Sequence, residues 1–353
     1  MQARLPGAER SHENLEDPPS LGDGAEMSQP KPKAGYQSDD REILLGAYQW
    51  LFWRWMLPLI PRFVLPNALT IFGNLSVMAA VPAMLAGVNG NHGWFVVSAI
   101  LVFVYITLDN LDGPHARRTG RASRLGELLD HGLDGLASGS MLLCGAIALH
   151  LDAVFTTALI TFGTAAYVLT MWEQYRTNVL VIPAVSGTEG ATMIMGLALI
   201  DFAFDDPPFM HFDTSQLTIS MGVMIFVMCA YAAALVPPVV RTRKAGASGR
   251  ELLPGMALTL VLAALAAVGA HPLVSGTGVA FFGSDVGVRL IRLRQTEREE
   301  ALVNPTRWVL ALPLLVALIA RDPTVTEVAS YVATGGAALF FVVGLVQAGR
   351  AIR

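Results

Sequence analysis

Four aspartates stand close together between residues 109 and 134. Asp109 and Asp112 are three residues apart, and Asp130 and Asp134 are four apart. In a helix, both spacings place the two carboxylates on one face. Carboxylate oxygens are ligands that Mg²⁺ and Mn²⁺ prefer, and two divalent ions would balance four negative charges. The sequence therefore predicts a two-metal site, which could clamp a pyrophosphate together with the nucleophile that attacks it.

The residues between the two aspartate pairs would suit a phosphate-bearing ligand. Gly113 and Gly126 let the backbone approach a ligand closely, and Ala116 keeps one helical face bare. The guanidinium of Arg117 can meet phosphate oxygens. We therefore expect these residues to line the ligand pocket beside the metals.

Several side chains could assist an attacking hydroxyl group. His131 directly follows Asp130, and an imidazole changes its charge close to neutral pH, which suits a general base. Asp134 is the alternative base, and His131 could instead support the metal site. Glu189 begins an apolar segment, where it could orient His131 or be an exposed acid at a helix N-terminus. Asn67 could reach the substrate or cap a helix.

The composition is that of a membrane protein. Of 353 residues, 53% are hydrophobic and 15% are charged, whereas soluble domains carry roughly 25% charged residues. The mean hydropathy of +0.51 agrees, and 24 basic against 28 acidic residues leave a net charge of −4. These values exclude an ordinary soluble enzyme, a disordered scaffold and a basic protein that binds nucleic acid.

The chain is predicted to be an all-α, polytopic membrane helix bundle. Residues 1–40 are rich in proline and acidic residues and are expected to be a disordered polar tail. Residues 41–64 carry tryptophans and arginines that favour the headgroup level, which predicts an interfacial amphipathic helix. Residues 65–353 form the transmembrane domain. Its ten apolar segments, judged against a span of about 20 residues, are 68–88, 93–112, 125–150, 153–173, 189–204, 217–240, 253–270, 272–289, 307–321 and 325–348.

The basic residues predict the orientation of this bundle. With ten crossings, every lysine and arginine except Arg321 falls on one side of the membrane. Because such residues accumulate on the cytoplasmic side, we expect both termini and the aspartate cluster to be cytoplasmic.

Two expectations concern helix packing. Asp285 and Arg289, four residues apart in the eighth segment, are expected to pair with each other. Small residues of the third and tenth segments, such as Gly132, Gly139 and Gly335, suit close helix contacts, including the interface of a homodimer.

The stretch from Asp109 to Asp134 has the pattern D-x2-D-G-x2-A-R-x8-G-x3-D-x3-D. It resembles the signature of the CDP-alcohol phosphotransferases, integral membrane enzymes of phospholipid synthesis, and every fixed position of that signature is present. Pro66-Asn67 followed by Thr70 is similar to the entry of that family's first helix. The strings ARRTG and LGELLDHG are similar to the choline/ethanolamine phosphotransferase branch, in which a histidine follows the third aspartate.

The resemblance implies a reaction and a set of site residues. The reaction moves phosphocholine or phosphoethanolamine from CDP-choline or CDP-ethanolamine to diacylglycerol or a related lipid alcohol, and CMP is released. His131 and Glu189 match the histidine and glutamate of the branch. The resemblance implies two Mg²⁺ or Mn²⁺ ions held by Asp109, Asp112, Asp130 and Asp134, and a CDP-alcohol site lined by Gly113, Ala116, Arg117 and Gly126.

Two other functions stay open. A CDP-diacylglycerol-dependent enzyme would attach phosphatidyl to a polar alcohol such as inositol phosphate, serine or glycerol phosphate, with Arg124 and Arg176 as an anion pocket. A transporter could use the acids as an ion path, although the acids cluster at one membrane face. The membrane itself could be a bacterial plasma membrane or the endoplasmic reticulum or Golgi.

Overall fold

The computed structural model describes residues 37–204, 207, 211 and 218–352, and most of them are helical. The all-α prediction is therefore confirmed. Residues 1–36 of the predicted polar tail lie outside the described residues. The last four residues of that tail form strand β1 (Gln37–Asp40), which pairs in parallel with β2 (Val179–Ile182).

Each of the ten apolar segments coincides with a helix within the described part of the chain. Short 3₁₀ turns, Gly249–Leu252 and Pro305–Ala311, lead into the seventh and ninth helices. The helices are α1 (Pro66–Val88), α2 (Gly93–Thr119), α3 (Arg124–Ala148), α4 (Ala153–Thr177), α5 (Gly187–Phe204), α6 (Ile219–Lys244), α7 (Leu253–Ala267), α8 (Pro272–Thr296), α9 (Leu312–Ala320) and α10 (Pro323–Ala351).

Seven helices among the described residues are long and apolar enough to cross a membrane: α1, α2, α4, α5, α6, α7 with its leading turn, and α10. The chain is thus an integral membrane protein, as predicted. The other three do not meet that test, because α9 is short and because α3 and α8 carry many polar and glycine residues. Ten crossings, and the side on which the termini lie, therefore stay predictions.

Helices α3 and α8 occupy the centre of the bundle, which explains their composition. One face of α3, with Leu136 and Leu143, packs into an apolar core built mainly with α4, α7, α8 and α10. The opposite face, with Ala137 and Cys144, packs into a second core with α1, α2 and α5. A helix covered by protein on both faces does not need a lipid-facing apolar surface.

The small residues of α3 serve contacts within the chain. Gly132, Gly135 and Gly139 face α8, and a Cβ at Gly139 would lie 2.5 Å from the Cβ of Ala280. This face is therefore closed to a second copy of the chain, and a homodimer would have to use another surface. At Gly335 on α10, no atom of the described residues lies within 4 Å of the Cβ position.

Replacing Gly139 by Val is expected to lower the free energy of unfolding by about 1–3 kcal/mol, because the larger side chain overpacks the α3–α8 contact. Gly222→Val on α6 is the matched control, since nothing lies within 4 Å of a Cβ there. Thermal unfolding in detergent measures both variants. Equal midpoints for the two would show that α3 and α8 do not pack as described.

Residues 45–59 form consecutive helical turns in the region predicted to be an interfacial helix. Trp53 is buried, whereas Trp50 and Trp55 are exposed, and the guanidinium of Arg54 lies 4.4 Å from the ring centre of Trp55. Such exposed aromatic and cationic groups suit the headgroup level. The position of this segment at the membrane surface stays a prediction.

The expected pairing of Asp285 with Arg289 is wrong. The carboxylate of Asp285 accepts two hydrogen bonds of 2.9 Å from Arg307, and both residues are buried. Arg289 instead contacts Glu300, with 3.0 Å between the charged groups. Asp285 points towards α10, where Gly344 leaves space for its carboxylate.

Candidate active site

The ends of α1, α2 and α3 position the four aspartates. Helix α1 packs along both other helices, whereas α2 and α3 contact each other much less closely. A short turn joins α2 to α3, and Gly120 within it has a φ of 69°, in the left-handed region that favours glycine. The carboxylates therefore lie in the space between the end of α2 and the start of α3. We call this end of the bundle the aspartate end.

The four aspartates lie within electrostatic range of one another. Asp109 lies within electrostatic range of Asp112, Asp130 and Asp134. One carboxylate oxygen of Asp109 is buried and has no hydrogen-bond partner among the described residues. Four such groups repel one another unless cations bind between them, and a buried oxygen without a partner is free to act as a ligand. The donor set therefore fits divalent metal ions with oxygen ligands.

Asp112 is held by a residue of α1. The hydroxyl group of Thr70 donates a short hydrogen bond to the Asp112 carboxylate, and both residues are buried. The side chain of Asn74 in turn donates to the carbonyl of Thr70 at 3.0 Å. In the sequence, Thr70 stands out only as part of a helix entry, since nothing in the spacing shows that its hydroxyl group reaches a carboxylate 42 residues away.

Replacing Thr70 by Val is expected to weaken Mg²⁺ or Mn²⁺ binding about 10–100-fold, because partners that orient a ligand have effects of that size. Thr277→Val on α8 is the matched control, since within the described part of the chain that hydroxyl group donates to the carbonyl of Leu273 on its own helix and to no other group. Titration of Mn²⁺ followed by electron paramagnetic resonance measures the affinity. An unchanged Mn²⁺ affinity in Thr70→Val would show that Thr70 does not support the metal site.

His131 is buried among the acids of α3. Its Nδ1 lies 3.4 Å from Asp134 Oδ2 and 3.9 Å from Asp130 Oδ2. These three residues offer ligand atoms within 4.8 Å of one another. The hydroxyl group of Tyr167 on α4 donates to the backbone carbonyl of His131 at 2.8 Å, which fixes this turn of α3. His131 and Asp134 are thus in contact, and both stay candidates for the base.

Arg117 lies beside the aspartates with its charge available. A Cβ at Gly113 would lie 3.5 Å from its Nη1, so the arginine extends back over that glycine. Arg117 is exposed, and no ion pair of it occurs among the described residues. Its neighbours differ, because Arg118 donates to the carbonyl of Leu57 at 2.6 Å and thereby ties α2 to the N-terminal turns. Ala116, half-buried, adds no bulk here.

Asn67 and Gly126 meet at the start of α1 and α3. A Cβ at Gly126 would lie 3.3 Å from the Asn67 side-chain oxygen and 3.4 Å from the hydroxyl group of Ser123. Ser123 caps α3 by accepting the amide of Gly126 at 3.0 Å. Asn67 does not cap α1, whose N-cap position is Leu65. Its amide group is therefore placed beside the expected ligand pocket.

Glu189 fastens the N-terminal segment to α5. Its two carboxylate oxygens accept backbone amides from Leu44 at 2.8 Å and Ser186 at 3.1 Å. Glu42 does the same from the other side, accepting the amide and the hydroxyl group of Thr188, each at 2.8 Å. Among the described residues, no contact joins Glu189 to His131. This geometry favours the alternative that places Glu189 at a helix N-terminus, although the residue is half-buried and not exposed as that alternative expects.

A buried ion pair that the sequence analysis missed supports the first turn of α3. Glu127 pairs with Arg294 at the end of α8, and both side chains are buried. Gln295 donates to Glu127 at 2.9 Å and to the carbonyl of Arg124 at 3.1 Å. These contacts fix the turn that precedes Asp130. Only the fold could reveal them, because the partners are about 170 residues apart.

Arg176 is not free to form the expected anion pocket with Arg124. Its guanidinium forms an ion pair with Glu251, with a hydrogen bond of 2.9 Å from Nε. The charge of Arg176 is thus already balanced by an acid of the chain.

The part of the chain that contains the candidate site is similar to known proteins. Residues 63–237, which include all four aspartates, match the family model described as CDP-alcohol phosphatidyltransferase. Cholinephosphotransferase 1 of Rattus norvegicus is 34% identical over 150 residues, which cover 39% of this chain and 37% of the relative. Choline/ethanolaminephosphotransferase 1 of Saccharomyces cerevisiae is 29% identical over 171 residues, or 47% of this chain and 44% of the relative.

A third relative carries a different name. CDP-diacylglycerol--serine O-phosphatidyltransferase of Encephalitozoon cuniculi is 33% identical over 186 residues, which cover 51% of this chain and 48% of the relative. The matched stretch is thus less than half the length of each of these three relatives. The family resemblance is confirmed, while the relatives' names divide between choline or ethanolamine phosphotransferases and a serine phosphatidyltransferase.

Proposed function

Residues 63–237 form a domain of the CDP-alcohol phosphatidyltransferase family, and on that premise we propose that the chain transfers phosphocholine or phosphoethanolamine from a CDP-alcohol to diacylglycerol or a similar lipid alcohol. The enzyme class is a transferase. The observation that carries the proposal is the convergence of four carboxylates beside Arg117, an arginine with no ion pair among the described residues.

Asp109, Asp112, Asp130 and Asp134 would hold the two Mg²⁺ or Mn²⁺ ions of the proposed reaction, with Thr70 orienting the carboxylate of Asp112. Such ions would neutralise charge on the pyrophosphate group of the donor.

The remaining residues bind the donor and move a proton. Arg117 contacts phosphate oxygens, and the bare surfaces at Gly113, Ala116 and Gly126 admit the cytidine diphosphate, with Asn67 beside it. The acceptor hydroxyl oxygen forms a bond to the β-phosphorus while the bond from that phosphorus to the CMP oxygen breaks. The hydroxyl proton passes to the contacting pair of His131 and Asp134.

The distribution of basic residues supports a location for this site. Arg117, Arg118, Arg121 and Arg124 lie at or next to the aspartate end. Arginines next to spanning helices favour the cytoplasmic side, so we propose that the site and both termini are cytoplasmic and that the bundle crosses ten times. The membrane would be a bacterial plasma membrane or the endoplasmic reticulum or Golgi.

The second candidate uses CDP-diacylglycerol as donor and a polar alcohol such as serine, inositol phosphate or glycerol phosphate as acceptor. The name of the Encephalitozoon cuniculi relative favours it. Two observations weigh against it: the ARRTG and LGELLDHG strings are similar to the other branch, and Arg176 is paired with Glu251. A phosphorylated acceptor would therefore find only one of the two expected arginines available.

Donor choice tests the proposal directly. Purified protein in mixed micelles with Mg²⁺ would receive CDP-choline, CDP-ethanolamine or CDP-diacylglycerol, each with and without diacylglycerol or a polar alcohol. We expect CMP release from a CDP-aminoalcohol only when diacylglycerol is present. Release only from CDP-diacylglycerol with a polar alcohol would establish the second candidate, and no release from any donor would contradict both.

A further inference from the structure

A cavity opens at the aspartate end, away from the four carboxylates. Its volume is about 770 Å³, and it lies between the ends of α4 and α6 and the start of α7. Leu235, Val239 and Arg243 line it from α6, and Leu169 and Trp172 line it from α4. Its loop wall, residues 246–253, lies beyond the stretch that matches the family model.

One stripe of α6 gives the cavity an apolar part and a charged part. Leu235, Val239 and Arg243 are four residues apart in turn, so they lie above one another on one helix face. The apolar pair lies within the membrane helix, and the arginine lies in its last turn. Arg250 lines the cavity from the 3₁₀ turn that leads into α7. The cavity is therefore apolar at one end and cationic at the other. These two ends complement the acyl chain and the phosphate group of an anionic phospholipid.

The two arginines keep their charges for a ligand. Neither Arg243 nor Arg250 has an ion pair among the described residues, and both are exposed. Glu251, the nearest acid in sequence, is bound by Arg176 and by the indole nitrogen of Trp172. The cavity therefore carries two positive charges without a neutralising acid, which favours an anionic group.

We propose that this cavity binds an anionic phospholipid of the surrounding leaflet, separately from the reaction site. Its phosphate group contacts Arg243 and Arg250, and one acyl chain lies along Leu169, Leu235 and Val239. Such a lipid is a resident partner of the fold, recognised by charge at the headgroup and by apolar contact below it.

Lipid binding by the full-length protein in detergent tests the proposal. The probe is radiolabelled dioleoyl phosphatidic acid at a fixed ratio of lipid to detergent, with dioleoyl phosphatidylcholine and inorganic phosphate as competitors. We expect Arg243→Gln together with Arg250→Gln to weaken binding at least about tenfold, because two charge-assisted contacts are lost. Lys244→Gln with Arg350→Gln removes the same charge from the same end of the bundle and should leave binding unchanged.

A second variant tests the apolar part of the cavity. Val239→Trp fills the cavity without changing its charge, and it should also weaken binding at least about tenfold. Equal loss in the two double variants would show that only surface charge attracts the lipid. Displacement by inorganic phosphate as readily as by unlabelled phosphatidic acid would show an anion site without lipid recognition. Competition by phosphatidylcholine at equal concentration would show a non-selective lipid groove, and each of these three results would overturn the proposal.

Discussion

Replacing Asp130 by Asn is expected to reduce CMP release about a thousandfold or more. The substitution keeps the size of the side chain and removes one carboxylate charge from the cluster of four. Metal ions contribute several kcal/mol of charge stabilisation in the transition state, and about 4 kcal/mol corresponds to a factor of about a thousand. CMP release by the purified variant, compared with that of the wild-type protein at saturating Mg²⁺, measures the effect.

The unfolding temperature separates a loss of activity at the metal site from a loss caused by misfolding. Because the four acids repel one another without cations, removal of one charge should not lower the unfolding temperature of the metal-free protein. The stabilisation that Mg²⁺ confers on the wild-type protein should disappear. Asp152→Asn is the control, since Asp152 caps α4 by accepting the amide of Phe155, and asparagine caps equally well. Asp130→Asn activity within tenfold of that control would contradict the metal site.

Replacing Arg307 by Met is expected to lower the free energy of unfolding by about 3–5 kcal/mol, because it leaves the buried carboxylate of Asp285 without its partner. Arg41→Met is the matched control. It breaks the pair of Arg41 with Asp39, in which the two side chains are 57% and 45% exposed, and exposed pairs of this kind contribute little to stability. Thermal unfolding in detergent compares the two variants.

A double variant isolates the pair itself. A leucine side chain has nearly the shape of an aspartate side chain but carries no charge. The double variant with Arg307→Met and Asp285→Leu should therefore recover most of the stability that Arg307→Met alone loses. Additive losses in the double variant would show instead that each side chain acts through packing alone. A small effect of Arg307→Met, no larger than that of Arg41→Met, would show that Asp285 is not buried with Arg307.

The sequence predicted the helices and the aspartate cluster because both depend on local pattern. An apolar run long enough to cross a membrane favours a helix, because a helix satisfies its own backbone hydrogen bonds, and seven of the ten predicted segments coincide with described helices of that length and composition. The aspartates were predictable because residues three or four apart share a helix face whatever surrounds the helix. Gly113 and Arg117 lie together for the same reason.

Contacts between helices distant in sequence were not predictable. Asp285 pairs with Arg307 and not with Arg289, because the rotation of α8 in the bundle directs the two charges of that helix to different neighbours. The contact of Thr70 with Asp112 likewise requires the close packing of α1 on α2. Glu189 was matched to a catalytic position by its motif, whereas its carboxylate is engaged by the amide of Leu44, far away in the chain.

The most direct test of the proposed reaction follows the transferred phosphoryl group. CDP-ethanolamine or CDP-choline labelled with ³²P at the β-phosphate would be incubated with purified protein, diacylglycerol and Mg²⁺, and the products would be separated into lipid and aqueous fractions. We expect label in a phospholipid of the matching headgroup, unlabelled CMP in equal amount, and neither product after chelation of the metal. Label that stays entirely in the aqueous fraction with both donors, from protein that is folded and binds Mg²⁺, would contradict it.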